Sequence, residues 1–97
     1  MKVTPFEISD YLKTEQDMAE YLSAVMESGN TEATLAAIAD IAKARGMTKL
    51  AEASGLNRES LYKALRPGAK PRFDTVCRIM AALNLRISAV PTADYSI

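Results

Sequence analysis

A chain of 97 residues, 48% of them hydrophobic, is enough for one domain with a small core. One cysteine (Cys77) and no histidine exclude an intramolecular disulfide, a multi-cysteine zinc site and the commonest general base. Twelve basic and twelve acidic side chains cancel, but unevenly: residues 1–40 carry two basic and eight acidic groups, a net −6, and residues 41–97 carry ten basic and four acidic, a net +6.

The N-terminal stretch holds Lys2, Glu7 and Asp10 and no long apolar run, so neither a secretory signal nor a membrane span is expected, and a reducing cytoplasm suits the lone thiol. Pro5 to Leu12 predicts a short helix with Ile8, Tyr11 and Leu12 on one side. Thr14-Glu-Gln-Asp17 predicts a capping box opening a second helix, whose stripe is Met18, Tyr21, Leu22, Val25 and Met26. Ser28-Gly29 stops it. Asn30 or Thr31 caps a third helix running to about Arg45, with Leu35, Ile38, Ile41 and Ala42 facing inward, and Gly46 ends it.

Residues 47–65 then predict two short helices meeting at a tight corner, a helix-turn-helix. Leu50 and Ala51 come one turn before Gly55, Leu56 follows it, and Leu61, Ala64 and Leu65 recur at helical spacing. Gly55 suits a corner that needs positive φ, and Asn57 is the expected N-cap of the second helix, accepting from Glu59 or Ser60. Arg58, Glu59, Tyr62, Lys63 and Arg66 are left facing outward. In the loop 66–72, Pro67 and Pro71 forbid a continuing helix. Asp74 is the expected N-cap of the last helix, with Val76, Cys77, Ile79, Met80 and Leu83 buried and a left-handed cap at Asn84. Leu85 to Val90 alternates imperfectly and is closed by Pro91, which predicts one short strand. Such a strand has no partner within a helical chain and would pair with a second copy or another protein, unless it is merely extended.

A basic half carrying this motif has the electrostatic footprint of a DNA binder. Arginine early in the second motif helix can offer two parallel donors to guanine O6 and N7, so Arg58 is the first choice for base reading. Glu59 can accept from cytosine N4, Tyr62 can pack on a thymine methyl or hold a phosphate, and Lys63 can reach base edge or backbone. Thr48, Lys49, Arg66, Lys70 and Arg72 are expected to position the chain on phosphates, with Asn57 setting the helix start. Cys77 lies on an apolar helix side and is expected to be a buried, inert thiol, and Tyr11, Tyr21 and the methionines are expected in the core. With no catalytic or nucleotide-binding motif, neither an enzyme nor a cofactor is expected.

The block Ile38 to Leu85 resembles the addiction-module antidote proteins with a Cro-type helix-turn-helix. The residues that carry this are Ile41-Ala-Lys-Ala-Arg-Gly-Met47, Leu56-Asn-Arg-Glu-Ser-Leu-Tyr-Lys-Ala-Leu65 and Pro71-Arg-Phe-Asp-Thr75. Phe6-Glu-Ile-Ser-Asp-Tyr-Leu12 and Glu20-Tyr-Leu22 fit the same family. The resemblance implies an all-α, five-helix Cro/lambda-repressor-like fold with a short C-terminal β-strand. It also implies the antitoxin of a type II toxin–antitoxin pair, which neutralises a RelE/ParE-like toxin and, with that toxin, represses their shared operon; the small core makes binding to operator DNA as a dimer the expectation. Two positions depart from the wider Cro-type pattern: Met47 stands where Gln commonly reaches a phosphate, and Lys70-Pro71 stands where Asn-Pro is common. The alternative is a stand-alone Cro-like repressor with no toxin partner; a protein-interaction module without DNA binding fits less well, because Arg58, Lys63 and Arg66 share one face.

On this reading residues 1–97 form one domain: acidic N-terminal helices over 1–30, a DNA-binding core over 31–84, and a strand and tail over 85–97. The acidic half is a docking face for a basic toxin or a plain solvated surface, and Glu7, Asp10, Asp17 and Glu20 are the candidate toxin-binding residues.

Overall fold

The computed structural model describes residues 8–92. A single 3-10 turn, Ile8–Tyr11, leads into five helices: α1 (Glu15–Met26), α2 (Thr31–Arg45), α3 (Met47–Ser54), α4 (Arg58–Leu65) and α5 (Phe73–Ala82). The expected helix from Pro5 is seen only as that turn, its first three residues lying outside the described stretch. Leu12 is buried as expected, but Tyr11 is 63% exposed, so the turn seals the core with Leu12 and not with the aromatic ring.

The helix starts follow the side chains that satisfy them. Thr14 Oγ1 accepts from the Asp17 N–H (3.0 Å), and Asp17 Oδ2 accepts in return from the N–H groups of Thr14 (3.2 Å) and Lys13 (3.1 Å), so the capping box of α1 is complete. Asn30 Oδ1 accepts from the Ala33 N–H at 2.9 Å and opens α2. Gly46 both ends α2 and starts α3: at φ 102° its N–H donates to Ala42 while its carbonyl accepts from Leu50. A residue with a Cβ rarely takes that φ, which is why two helices abut here without a loop.

α5 begins earlier than Asp74 predicts. Pro71 holds the chain extended, Arg72 takes the N-cap position at ψ 152° with no side-chain cap, and Asp74 sits inside the first turn, 3.4 Å from Arg72. An acid there still favours the positive helix end, which is why the composition misleads by two residues. The other end behaves as expected: Asn84 is left-handed at φ 62°, its N–H donates to Ala81, and the Leu85 N–H reaches back to Met80, a full Schellman closure.

One apolar cluster joins these elements. α2 lies at its centre, packed against the 3-10 turn, α1, α3 and α4, while α3 packs on α5. Ile41, Leu50, Leu61, Ile79 and Leu83 are fully buried, each contributing about 1.5–3 kcal/mol by transfer. Met18, Leu22, Ile38, Ala42 and Met80 join them as expected, whereas Leu35, Val25, Val76 and Tyr21 are half-buried. Met26 is 42% exposed because the stripe of α1 has rotated off the core by its last turn, and Cys77 is a free, half-buried thiol rather than a buried one.

No β-strand forms among the described residues. Residues 85–92 are irregular, and Ile87 and Val90 face solvent. A ladder needs a second strand, and no other described segment is a strand.

Two links tie the ends of the bundle. Glu15 accepts from Arg45 at 3.2 Å and from Asn84 Nδ2 at 3.5 Å, and hydrogen bonding at the helix start, with these two partners, holds its carboxyl below the usual range. The Tyr21 hydroxyl donates to Asp40 Oδ2 at 2.7 Å, joining α1 to α2; burial, then the neighbouring carboxylate, pushes the phenol up to about 12.

Candidate nucleic-acid interface

α3 and α4 are eight residues each and meet at Gly55-Leu56-Asn57. Gly55 takes the left-handed φ of 76° that reverses the chain, and its N–H donates to Ala51 (3.1 Å). Ser54, buried at 8% exposure, supports the corner: its Oγ accepts from the Leu56 N–H at 3.2 Å. Asn57 Oδ1 accepts from Ser60 N–H at 2.7 Å, so the carboxamide oxygen is committed to starting α4 and only its amide group remains for a ligand. Leu61 is the buried anchor of α4, which turns Arg58, Glu59, Tyr62 and Lys63 to solvent.

Arg58 and Tyr62 form a pair one helical turn apart. Arg58 Nη2 donates to the Tyr62 hydroxyl at 3.2 Å, and the guanidinium carbon lies 5.6 Å from the ring centroid. The arginine is thereby held along α4 with its other N–H groups still open, rather than sweeping freely through solvent. Glu59, beside it, is exposed in the first turn.

Lys63, Arg66, Lys70 and Arg72 are brought together. They line one open groove of about 690 Å³ between the end of α4, the loop 66–72 and the start of α5, with Ser60 and Thr75 on its walls and no acidic residue in the lining. The helix start at Arg72 has no side-chain cap, which leaves main-chain N–H groups of α5 beside these cations. The combination of clustered cations and open N–H donors is suited to a chain of phosphates. Thr48 and Lys49 are exposed in the first turn of α3, outside this groove.

The acidic candidates are more scattered. Asp10 is exposed in the 3-10 turn and Glu20 is exposed on α1, where it accepts from Gln16 Nε2 at 2.9 Å. Asp17 is spent on the capping box, and Glu7 lies outside the described residues. Among the described residues no group of His, Cys, Asp and Glu is placed to hold a metal ion, and no helix is long and apolar enough to cross a membrane.

Sequence reasoning missed Arg78 on α5, whose Nη2 donates to the Ser54 carbonyl at 3.1 Å. A basic residue on an exposed helix face carries no spacing signal that would mark it. The 24-residue separation of the pair is visible only once α5 is packed on α3.

Residues 2–91 match a family model described as probable addiction module antidote protein. A protein of Haemophilus influenzae described as uncharacterized is 41% identical over 81 residues, covering 84% of each chain. No solved structure matches.

Proposed function

The chain belongs to the family of probable addiction module antidote proteins, and from that premise we propose that it is the antitoxin of a type II pair that both neutralises its toxin and represses the operon they share. An antidote implies a toxin partner. The toxin is RelE/ParE-like, and the target of the basic half is double-stranded operator DNA read through a Cro-type helix-turn-helix formed by α3 and α4. The protein is cytoplasmic, works without a cofactor, and acts by binding rather than catalysis.

The single observation that carries the DNA half of this reading is the groove in which Lys63, Arg66, Lys70 and Arg72 converge, Arg72 also pairing with Asp74 beside it. With α4 in a major groove, Arg58 and Tyr62 face base edges while these four cations follow the phosphates, and Thr48 and Lys49 approach the backbone from α3. Asn57 and Glu59 stand at the start of the reading helix. Two copies are required to read a two-fold operator, and a small core with Phe73, Ile87 and Val90 exposed is consistent with a homodimer.

The toxin half rests on charge. A toxin that cuts messenger RNA must hold phosphate, so it presents a basic surface, and Asp10 and Glu20 on the acidic half can attract it while the basic groove stays open. The test is co-expression of the chain with the reading frame beside its gene, affinity purification, and a gel shift on the operon's own promoter. A toxin-sized protein that co-purifies, and a promoter shifted with half-sites about one helical turn apart, support the reading. A chain that shifts the promoter with no partner is a stand-alone repressor; a chain that binds the partner but not the promoter is an antidote without autoregulation.

A further inference from the structure

Three hydrogen bonds at the end of α3 are local: Gly55 N–H to Ala51, Ser54 Oγ to the Ala51 carbonyl, and Leu56 N–H to Ser54 Oγ. One more comes from outside. Arg78 reaches across from α5 and donates from Nη2 to the carbonyl of Ser54, the last residue of α3 (3.1 Å). The last carbonyls of a helix lack partners along their own helix and form its negative end, so a guanidinium is the fitting donor. The same Nη2 lies only 2.9 Å from where a Cβ on Gly55 would stand. The guanidinium therefore occupies the space over the left-handed glycine that turns the chain into α4.

We propose that Arg78 is a positioning residue for base reading: by fastening the end of α3 to α5 it sets the angle at which α4 presents Arg58 and Tyr62, without itself touching DNA. This rests on the reading of α4 as the recognition helix. The lever is long enough to matter. Tyr62 stands four residues into α4, about 6 Å along its axis, so a pivot of about 10° at the corner displaces it by roughly 1 Å. A bidentate contact to a base edge tolerates about 0.5 Å. Arg78 is not among the cations of the phosphate groove. Three residues beyond Thr75, it sits about 4.5 Å further along α5 from the groove's edge.

Binding of the full-length protein is measured by fluorescence anisotropy on its own promoter duplex and on a random duplex of equal length, across a series of salt concentrations. Arg78→Ala is expected to weaken promoter binding about tenfold, the effect of one misplaced base contact near the low end of its range. Random-duplex affinity and the salt slope should be unchanged. Arg78→Lys, which keeps a donor for the Ser54 carbonyl, should restore most of the preference for promoter. Equal loss on both duplexes with a salt slope lower by about one makes Arg78 a phosphate contact and overturns the proposal. A lower melting temperature with the promoter preference intact overturns it as well, since the bond is then only structural. A wild-type protein that binds both duplexes alike overturns the reading of α4, and this proposal with it; wild-type preference that survives Arg78→Ala overturns the role of Arg78 alone.

Discussion

Replacing Arg58 by alanine removes the side chain that α4 presents most directly, and the structure sets how large the effect should be. The guanidinium is exposed and held by two weak contacts within the helix, a hydrogen bond to the Tyr62 hydroxyl at 3.2 Å and a stacking contact at 5.6 Å. At an exposed site the stacking is worth about 0.5–1 kcal/mol and the hydrogen bond about 1 kcal/mol, so fold stability should fall by no more than about 2 kcal/mol. On DNA, loss of a bidentate contact costs about 1–3 kcal/mol at one base position. Arg58→Ala should therefore weaken promoter binding by roughly 5- to 150-fold, relax selectivity at one position of each half-site, and barely change binding to random duplex. Tyr62→Phe separates the two contacts, because it keeps the ring and loses only the hydroxyl; it should cost about 1 kcal/mol or less. The assay is a competition series in which each half-site position is substituted in turn, read by anisotropy, with the melting temperature recorded for each variant. If Arg58→Ala lowers affinity equally for promoter and random duplex, Arg58 holds phosphate and base reading lies elsewhere on α4.

Lys70→Ala, in the basic groove, should weaken promoter and random duplex alike and lower the salt slope by about one; a position-specific loss would contradict its placement. Asp10→Lys with Glu20→Lys should slow association with the toxin in low salt, and the defect should shrink as salt rises; an unchanged rate constant in stopped flow would reduce the acidic half to a solvated surface. Tyr21→Phe removes the donor to Asp40 and should lower the melting temperature at neutral pH, by about 0.5–1.5 kcal/mol of stability. Because burial and the Asp40 carboxylate push the folded phenol up to about 12 from its ordinary 10.0, the wild-type advantage is fully present below pH 10 and is lost as pH rises towards 12; denaturant melts in which the two proteins stay equally far apart at pH 9 and pH 12 would show that the bond does not couple to folding.

Helix starts with a side-chain cap were legible because the signal is local: Thr14 with Asp17, Asn30 and Asn57 each satisfy an N–H two or three residues on, and all three cap as expected. α5 was misjudged because its start is set by what Pro71 forbids rather than by a cap, and an acid in the first turn resembles an N-cap in composition. The inward stripes were legible in the middles of α2 and α5, where Ile38, Ile41, Ala42, Ile79 and Met80 are buried, but Leu35, Val76 and Cys77 nearer their starts are only half-buried. They failed at ends, where Tyr11 and Met26 run past the edge of the core. Of the candidate site, the cations were legible as a set, since residue type alone marks them. Their convergence was not, because it depends on how the loop 66–72 folds back between α4 and α5. Arg78 was invisible for the same reason, its partner being a main-chain oxygen that has no identity in the sequence.

The acidic half changes meaning once its partners are known. Of the seven acids from Asp10 to Asp40, three have structural work: Glu15 binds Arg45 and Asn84, Asp17 caps α1, and Asp40 accepts from Tyr21. These carboxylates still contribute to the long-range field, which acts over a Debye length of about 8 Å at physiological salt. They cannot move to meet a partner without loosening the bundle. On the proposed reading steering and contact would fall to different residues: the whole acidic surface would set how fast a basic toxin arrives, while among the described acids of this half Asp10, Glu20, Glu27 and Glu32, all exposed, could form new pairs without breaking a helix cap or an ion pair. That is why Asp17 makes a poor probe. Its reversal would undo a helix cap worth about 1 kcal/mol and so confuse lost stability with lost recognition, whereas charge reversal at Asp10 and Glu20 separates the two.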